Sequence, residues 1–218
     1  MLIHSATMKP RLVRILFGLL CVLCLMACSD DEKGRYVPPY ITDLVMLRIG
    51  ADGCFESVTL DNGSMYDVRS QQLTADIKDT VLRCKSTYTL EQGTMRIYGL
   101  ERVFCSRPVG ADTIRIVVNG EVFEGCEFLP RDPMHVVSLW KSGGYVNMHL
   151  ALMTTGKGMH RYAFCEDSVG HYSLLHYRPQ EDEESYKEHV YLSMPIPQGV
   201  DNLTFAVHTY DGIYTKEF

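Results

Sequence analysis

The sequence predicts an all-β protein of two units, of the barrel or sandwich type, behind a cleaved leader. Three observations carry the β assignment. After residue 40 the apolar residues alternate or form short β-branched and aromatic runs, helical periodicity is nearly absent, and Asn-Gly, Asp-Gly or Gly-Gly pairs punctuate the runs. Such pairs readily take the positive φ that two-residue hairpin turns require.

Taken in order, the first strands are Leu44–Ile49, Phe55–Leu60, Val81–Leu90, Met95–Leu100, Ile114–Val118 and Val122–Phe128. Asp52-Gly53 and Asn119-Gly120 are turns between neighbours. Asp61-Asn62-Gly63 is too short for a calcium loop and reads as another hairpin turn. Leu129-Pro130-Arg131-Asp132-Pro133 then interrupts the pattern with two prolines, which a central strand does not tolerate. It is the best boundary between a unit at 41–129 and a unit at 131–218. The second unit continues with Val136–Trp140, Tyr145–Leu152, His160–Cys165, Tyr172–Tyr177, Val190–Met194, Leu203–Val207 and Ile213–Lys216, with turns at Gly143-Gly144 and Asp211-Gly212. Glu181 to His189 is a helical turn or a loop. No internal repeat is visible.

The first 28 residues stand apart from the fold. Lys9, Arg11 and Arg14 form a positive region ahead of the apolar run Ile15 to Met26, which is shorter than the ~20 residues a spanning helix needs. The run ends in Leu25-Met26-Ala27-Cys28, which resembles a bacterial lipobox. This reading makes 1–27 a signal peptide, started at Met1 or at Met8, and Cys28 the lipidated first residue of the mature protein. Residues 28–40, with an acidic run and Pro38-Pro39, form the tether. Ser29-Asp30-Asp31-Glu32 resembles the surface-export signal of Bacteroidetes lipoproteins, so the expectation is an outer-membrane lipoprotein facing the cell surface, with the periplasmic side as the alternative.

Composition excludes several classes. In 218 residues, 21 Lys+Arg face 27 Asp+Glu for a net charge of -6, and removing 1–27 takes away Lys9, Arg11 and Arg14 without removing an acid. An acidic body opposes nucleic-acid binding, where phosphate contacts dominate affinity. Beyond Cys28 the cysteines are Cys54, Cys84, Cys105, Cys126 and Cys165. Their spacing is no zinc pattern, and buried free thiols are the preferred reading over disulfides. The mature histidines, His135, His149, His160, His171, His176, His189 and His208, all follow residue 130 but lack any tight ligand spacing. No metal or cofactor is expected. Catalytic templates are absent: there is no G-x-S-x-G elbow, P-loop or G-x-G-x-x-G, and Glu181-Asp182-Glu183-Glu184 reads as a like-charged surface loop. The chain is therefore expected not to be an enzyme. Asp79-Thr80-Val81, Asp112-Thr113-Ile114 and Asp167-Ser168-Val169 resemble an Asp-Ser/Thr-apolar glycosylation pattern, and read otherwise as strand starts after turns.

Trp140-Lys141-Ser142-Gly143-Gly144-Tyr145-Val146-Asn147, Met153-Thr154-Thr155-Gly156 and Val190-Tyr191-Leu192-Ser193-Met194-Pro195 together resemble the NigD-like family of Bacteroidetes lipoproteins. The lipobox, acidic tether and two-part body fit the same family. The resemblance implies the N-terminal OB-like barrel and C-terminal β-sandwich, and defines no catalytic residues. The family takes its name from a bacteriocin-associated locus, which makes a defence or immunity role the alternative to a general binding module, with an unmotivated hydrolase behind both.

One face is a candidate for binding. Along Tyr145–Leu152, Tyr145, Asn147 and His149 share a side opposite Val146, Met148, Leu150 and Leu152. Joined by His189, Tyr191 and Ser193 of another strand, they would form an exposed aromatic-polar surface suited to a glycan or a protein. Trp140, alternating with Val136 and Ser138, is expected on the partly buried side. The remaining partner is the membrane, through the lipid.

Overall fold

The computed structural model describes residues 39–69, 77–111, 115–118, 121–125 and 129–218. The signal segment 1–27, Cys28, nearly all of the tether, Cys126 and Asp112-Thr113-Ile114 lie outside the described residues. Five strands close a barrel: β1 (Ile41–Ile49), β2 (Phe55–Leu60), β3 (Met65–Val68), β4 (Thr80–Glu91) and β5 (Thr94–Arg102). β1 pairs antiparallel with both β2 and β4, and β3 closes on β5 in parallel, so the order is 1-2-3-5-4-1. This is the OB-like arrangement.

Alternation explains the interior. Val45, Leu47 and Ile49 of β1 point inward with Val58, Cys84, Tyr88, Met95 and Ile97. β4 runs for 12 residues and pairs with both β1 and β5; where the β4–β5 register shifts between Thr87 and Tyr88, Tyr98 is the extra residue on β5. β3 escaped the sequence reading because four residues with only Val68 buried carry no period. The β4–β5 turn was also missed: Gln92 and Gly93 both take positive φ, 50° and 82°.

The remaining strands are β6 (Phe104–Cys105), β7 (Val109–Gly110), β8 (Arg115–Val118), β9 (Glu121–Glu124), β10 (His135–Ser142), β11 (Tyr145–Thr154), β12 (Arg161–Ser168), β13 (His171–Tyr177), β14 (Tyr186–Pro195), β15 (Thr204–Thr209) and β16 (Gly212–Glu217). β8 and β9 pair as a separate ribbon. The others form two sheets, β10-β11-β14-β6 and β16-β15-β13-β12-β7, with one apolar core that includes Val146, Met148, Leu150, Phe164, Leu174, Leu192 and Phe205. Glu181 to Ser185 is irregular, and β14 begins at Tyr186.

The proposed boundary at the proline pair moves. β6 and β7 precede the prolines, yet β6 adds in parallel to β14 and β7 to β12. Pro130 and Asp132 are themselves bonded to the sandwich through His176. The barrel therefore hands over to the sandwich near Val103. Two-residue strands have no periodicity, so nothing local marked them as sheet.

Cys54, Cys84 and Cys105 are free thiols, and burial in the barrel pushes the Cys84 thiol up to about 11. Cys165 corrects the free-thiol reading, because it is disulfide-bonded.

Candidate binding cleft

The polar face of β11 is where the barrel meets the sandwich. Arg83, inside β4, has its side chain fully buried. Its Nη1 and Nη2 donate to Asp61 Oδ1 and Oδ2 at 2.5 and 2.9 Å, and Nη2 also donates to Asn147 Oδ1 at 3.0 Å. Ser193 Oγ donates to the same Asn147 oxygen at 2.7 Å, Asn147 Nδ2 donates to Ser142 Oγ, and Ser142 Oγ closes the circuit on Asp61 Oδ2. The Tyr145 ring lies 4.3 Å from the guanidinium carbon, and its hydroxyl donates to Met46 Sδ of β1. A buried cation held by a bidentate carboxylate and further acceptors is the arrangement in which burying charge is tolerated.

The alternation was therefore read rightly and its environment wrongly. Tyr145, Asn147 and His149 do share one face, in register with Tyr191 and Ser193. That face is not a free surface: Asn147 is 0% exposed, and Tyr145 is half-buried beneath Arg83. Trp140 stands directly opposite Asn147 on β10, so it shares this side and not the core side. A polar sheet face awaiting a polar partner has the same period as one facing water.

Close approach at the junction depends on Gly143, which has a φ of +58°. A Cβ there would stand 2.5 Å from Asp61 Oδ1 and 2.9 Å from the Asp61 Cα. The turn glycine lets the β10–β11 hairpin press against the β2–β3 turn.

Beside this junction a cleft of about 550 Å³ opens between the two halves. The barrel supplies Thr42, Asp43 and Leu44 from β1, Leu60, Asp61 and Asn62 at the end of β2, and Lys85 from β4. The sandwich supplies Ser138, Trp140, Ser142, His149 and Tyr191. His149 stacks on Tyr191 with centroids 4.4 Å apart at 10°, and its Nε2 lies 2.8 Å from His189 Nδ1. Burial, then the neighbouring His189 and Lys85, hold the His149 imidazole below its ordinary 6.5. Lys85 Nζ sits 4.2 Å over the Tyr191 ring and 2.6 Å from Glu101 Oε2. Asp43 Oδ2 accepts the Tyr88 hydroxyl at 2.8 Å. Of the four residues picked out by sequence, His149 and Tyr191 line the cleft, whereas Tyr145 and Asn147 build its support. Arg83, Asp61, Asp43 and Lys85 were missed. An arginine inside the otherwise apolar start of β4 was the one sequence signal that could have found the junction.

A second polar cluster forms just past the C-terminal end of β11. Asp182 was read as part of a solvated acidic loop, but its carboxylate is fully buried. It accepts from the Thr155 amide and hydroxyl at 2.7 and 2.8 Å and from His160 Nε2 at 2.8 Å. His160 Nδ1 is 2.9 Å from His176 Nε2, and His176 Nδ1 donates to the Asp132 carbonyl at 3.0 Å. Carbonyl and carboxylate only accept, so both outer nitrogens carry hydrogen, which fixes how the two rings are held. Burial pushes the Asp182 carboxyl up, but the bonds from Thr155, Thr154 and His160 outweigh it and hold it well below the usual range. Among the described residues, no group of three or more His, Cys, Asp or Glu could hold a metal ion.

The chain is a two-part all-β protein in which an OB-like barrel docks on a β-sandwich across a polar seam. Solved structures are similar to it in fold. The chain is similar to a NigD-like immunity protein from Bacteroides caccae, with 26% identity over 84% of this chain and 93% of that one and a TM-score of 0.58. It is also similar in fold to a protein described as toxin related from Parabacteroides distasonis, at 10% identity, 83% and 92% coverage and a TM-score of 0.61. A protein of unknown function from Bacteroides vulgatus matches at 15% identity, 82% and 90% coverage and a TM-score of 0.57. No family model matches the chain, and no curated protein does. The NigD-like resemblance and the fold it implied are borne out.

Proposed function

We propose that the protein is a non-catalytic, lipid-anchored binding protein of the outer membrane, of immunity type, and that the cleft between barrel and sandwich holds its ligand. The cleft carries the reading. Its walls belong to two halves joined by the Arg83 circuit, and its lining combines aromatic surface with hydrogen-bonding groups, the composition of pre-formed ligand sites. Asp61, the carboxylate at its inner end, accepts Arg83 through both oxygens, so it is committed to holding the halves together. Support for an immunity role is the name of the Bacteroides caccae relative. Support for the anchor is the positive, apolar and lipobox run ending at Cys28, and Ser29-Asp30-Asp31-Glu32 favours the cell surface.

The test is complementation in a strain lacking the gene, challenged with bacteriocin-containing supernatants of related strains. Wild type should restore resistance. Cys28→Ala should lose both detergent-phase partitioning and protection, and Ser138→Trp, which fills the cleft, should partition normally without protecting. Full protection by the filled variant would show that the cleft is not the site, and membrane partitioning of Cys28→Ala would show that the anchor is wrongly assigned.

A further inference from the structure

This inference rests on the cleft being the binding site and names what enters it. We infer that the cleft takes an uncharged sugar ring stacked on Trp140, with Asp43 accepting hydrogen bonds from its hydroxyls.

The aromatic lining has one unoccupied plane. Tyr191 is already covered by His149 and by the Lys85 ammonium. Trp140 lines the cleft half-buried, and among the described residues it has no ring stack, no cation contact and no bond to its indole N–H. An indole offers a broad apolar face with one donor at its edge. A pyranose offers the complement, a C–H face with hydroxyls around its rim.

Charge narrows the class further. Lys85 is paired with Glu101, and Asp61 is neutralised by Arg83, so both are compensated within the protein. Among the described residues, Asp43 is the lining carboxylate without an ion pair, and the Tyr88 hydroxyl donates to its Oδ2. An anionic ligand would meet that carboxylate, and a cationic one is the alternative that the lysine-rich peptide below tests. The rest of the lining is neutral and able both to donate and to accept, through Thr42, Asn62 and Ser138. Hydroxyl groups, which also do both, match that set. The volume of about 550 Å³ suits a short oligosaccharide segment.

Trp140 is the chain's single tryptophan, so its emission reports on the cleft alone. The experiment is a fluorescence titration of the whole protein with neutral oligosaccharides of glucose, galactose, mannose and N-acetylglucosamine, with sialyllactose, and with a lysine-rich peptide. A saturable emission change with a neutral glycan is expected. Asp43→Ala should raise its Kd about tenfold or more, while Asp43→Asn, which keeps an acceptor for Tyr88, guards against a folding artefact. Trp140→Ala, followed by calorimetry, should lose binding, and Trp140→Phe should recover part of it. Tyr214→Ala, on the remote edge strand β16, should change nothing.

Absence of a response to every neutral glycan overturns the inference. So does glycan binding that leaves the emission unchanged and ignores Asp43, since the sugar would then sit elsewhere. A response to the lysine-rich peptide alone overturns the sugar but leaves the cleft as the binding site. Protection by the cleft-filled variant defeats the functional reading itself.

Discussion

Arg83 donates to Asn147 at 3.0 Å across the seam between barrel and sandwich, and the two residues are 64 positions apart in the chain. Neither side chain has an explanation without the other. A buried guanidinium on a barrel strand needs acceptors, and a buried amide on a sheet face needs a donor. The seam supplies both, and it rests on Asp61 and Ser193 as well.

Arg83→Met should therefore destabilise by about 3 kcal/mol or more, because it strands the acceptors that the arginine satisfies. Arg83→Lys should not rescue it, since an ammonium cannot reproduce the bidentate fork. Urea midpoints of the three proteins measure this. Equal midpoints for wild type and Arg83→Met would mean that the circuit is not a structural bond.

The two glycines of the β10–β11 turn should respond differently. Gly144 has positive φ but open space around its Cβ direction, so Gly144→Ala should cost about 1 kcal/mol from backbone strain alone. Gly143→Ala adds a clash with the Asp61 backbone and should cost clearly more, about 2–4 kcal/mol. Paired thermal melts distinguish the cases, and matched losses would place the clash elsewhere.

Trp140 and Tyr145 reverse the order expected from sequence. Trp140 stands half-buried in the cleft, so Trp140→Ala should cost about 1–2 kcal/mol. Tyr145 packs beneath Arg83 and reaches Met46, so Tyr145→Ala should cost more, about 2–4 kcal/mol. Denaturation of both variants settles the ranking.

Acid should loosen the sandwich in two stages. Burial, opposed by the bond to the Asp132 carbonyl, holds His176 below its ordinary 6.5. The folded protein thus takes up that proton less readily than the unfolded chain. The resulting stability is complete above pH 6.5 and declines as pH falls below it. His149 and His208 are lowered in the same direction, chiefly by burial. Asp182 is also held low, so its contribution is complete above the ordinary carboxylate value of 3.8 and fails at more acid pH. Urea midpoints should fall from pH 7.5 to pH 5, with a shallower slope in His176→Gln. An unchanged slope would remove His176 from the account.

Residues 131–218 should not fold alone, contrary to what the proline pair suggests. That fragment lacks β6 and β7, the edge strands added to β14 and β12. A fragment from Val103 restores both and should melt more cooperatively. A sharp transition in the shorter fragment would show that the edge strands are dispensable.

Local patterns settled much of this molecule. Alternation placed the long strands, Asn-Gly and Gly-Gly pairs placed turns such as Asn62-Gly63 and Gly143-Gly144, and period two put Tyr145, Asn147 and His149 on one side of β11. These follow from backbone sterics and pleat geometry, which act between near neighbours. The tertiary structure alone decided that this side would be covered, that Trp140 would share it, that Asp182 would be buried, and that β6 and β7 would join the sandwich. The reason is physical. A polar residue satisfied by water and one satisfied by a partner such as Arg83, 110 positions from Ser193, have the same local pattern, and only long-range packing determines which partner each one has.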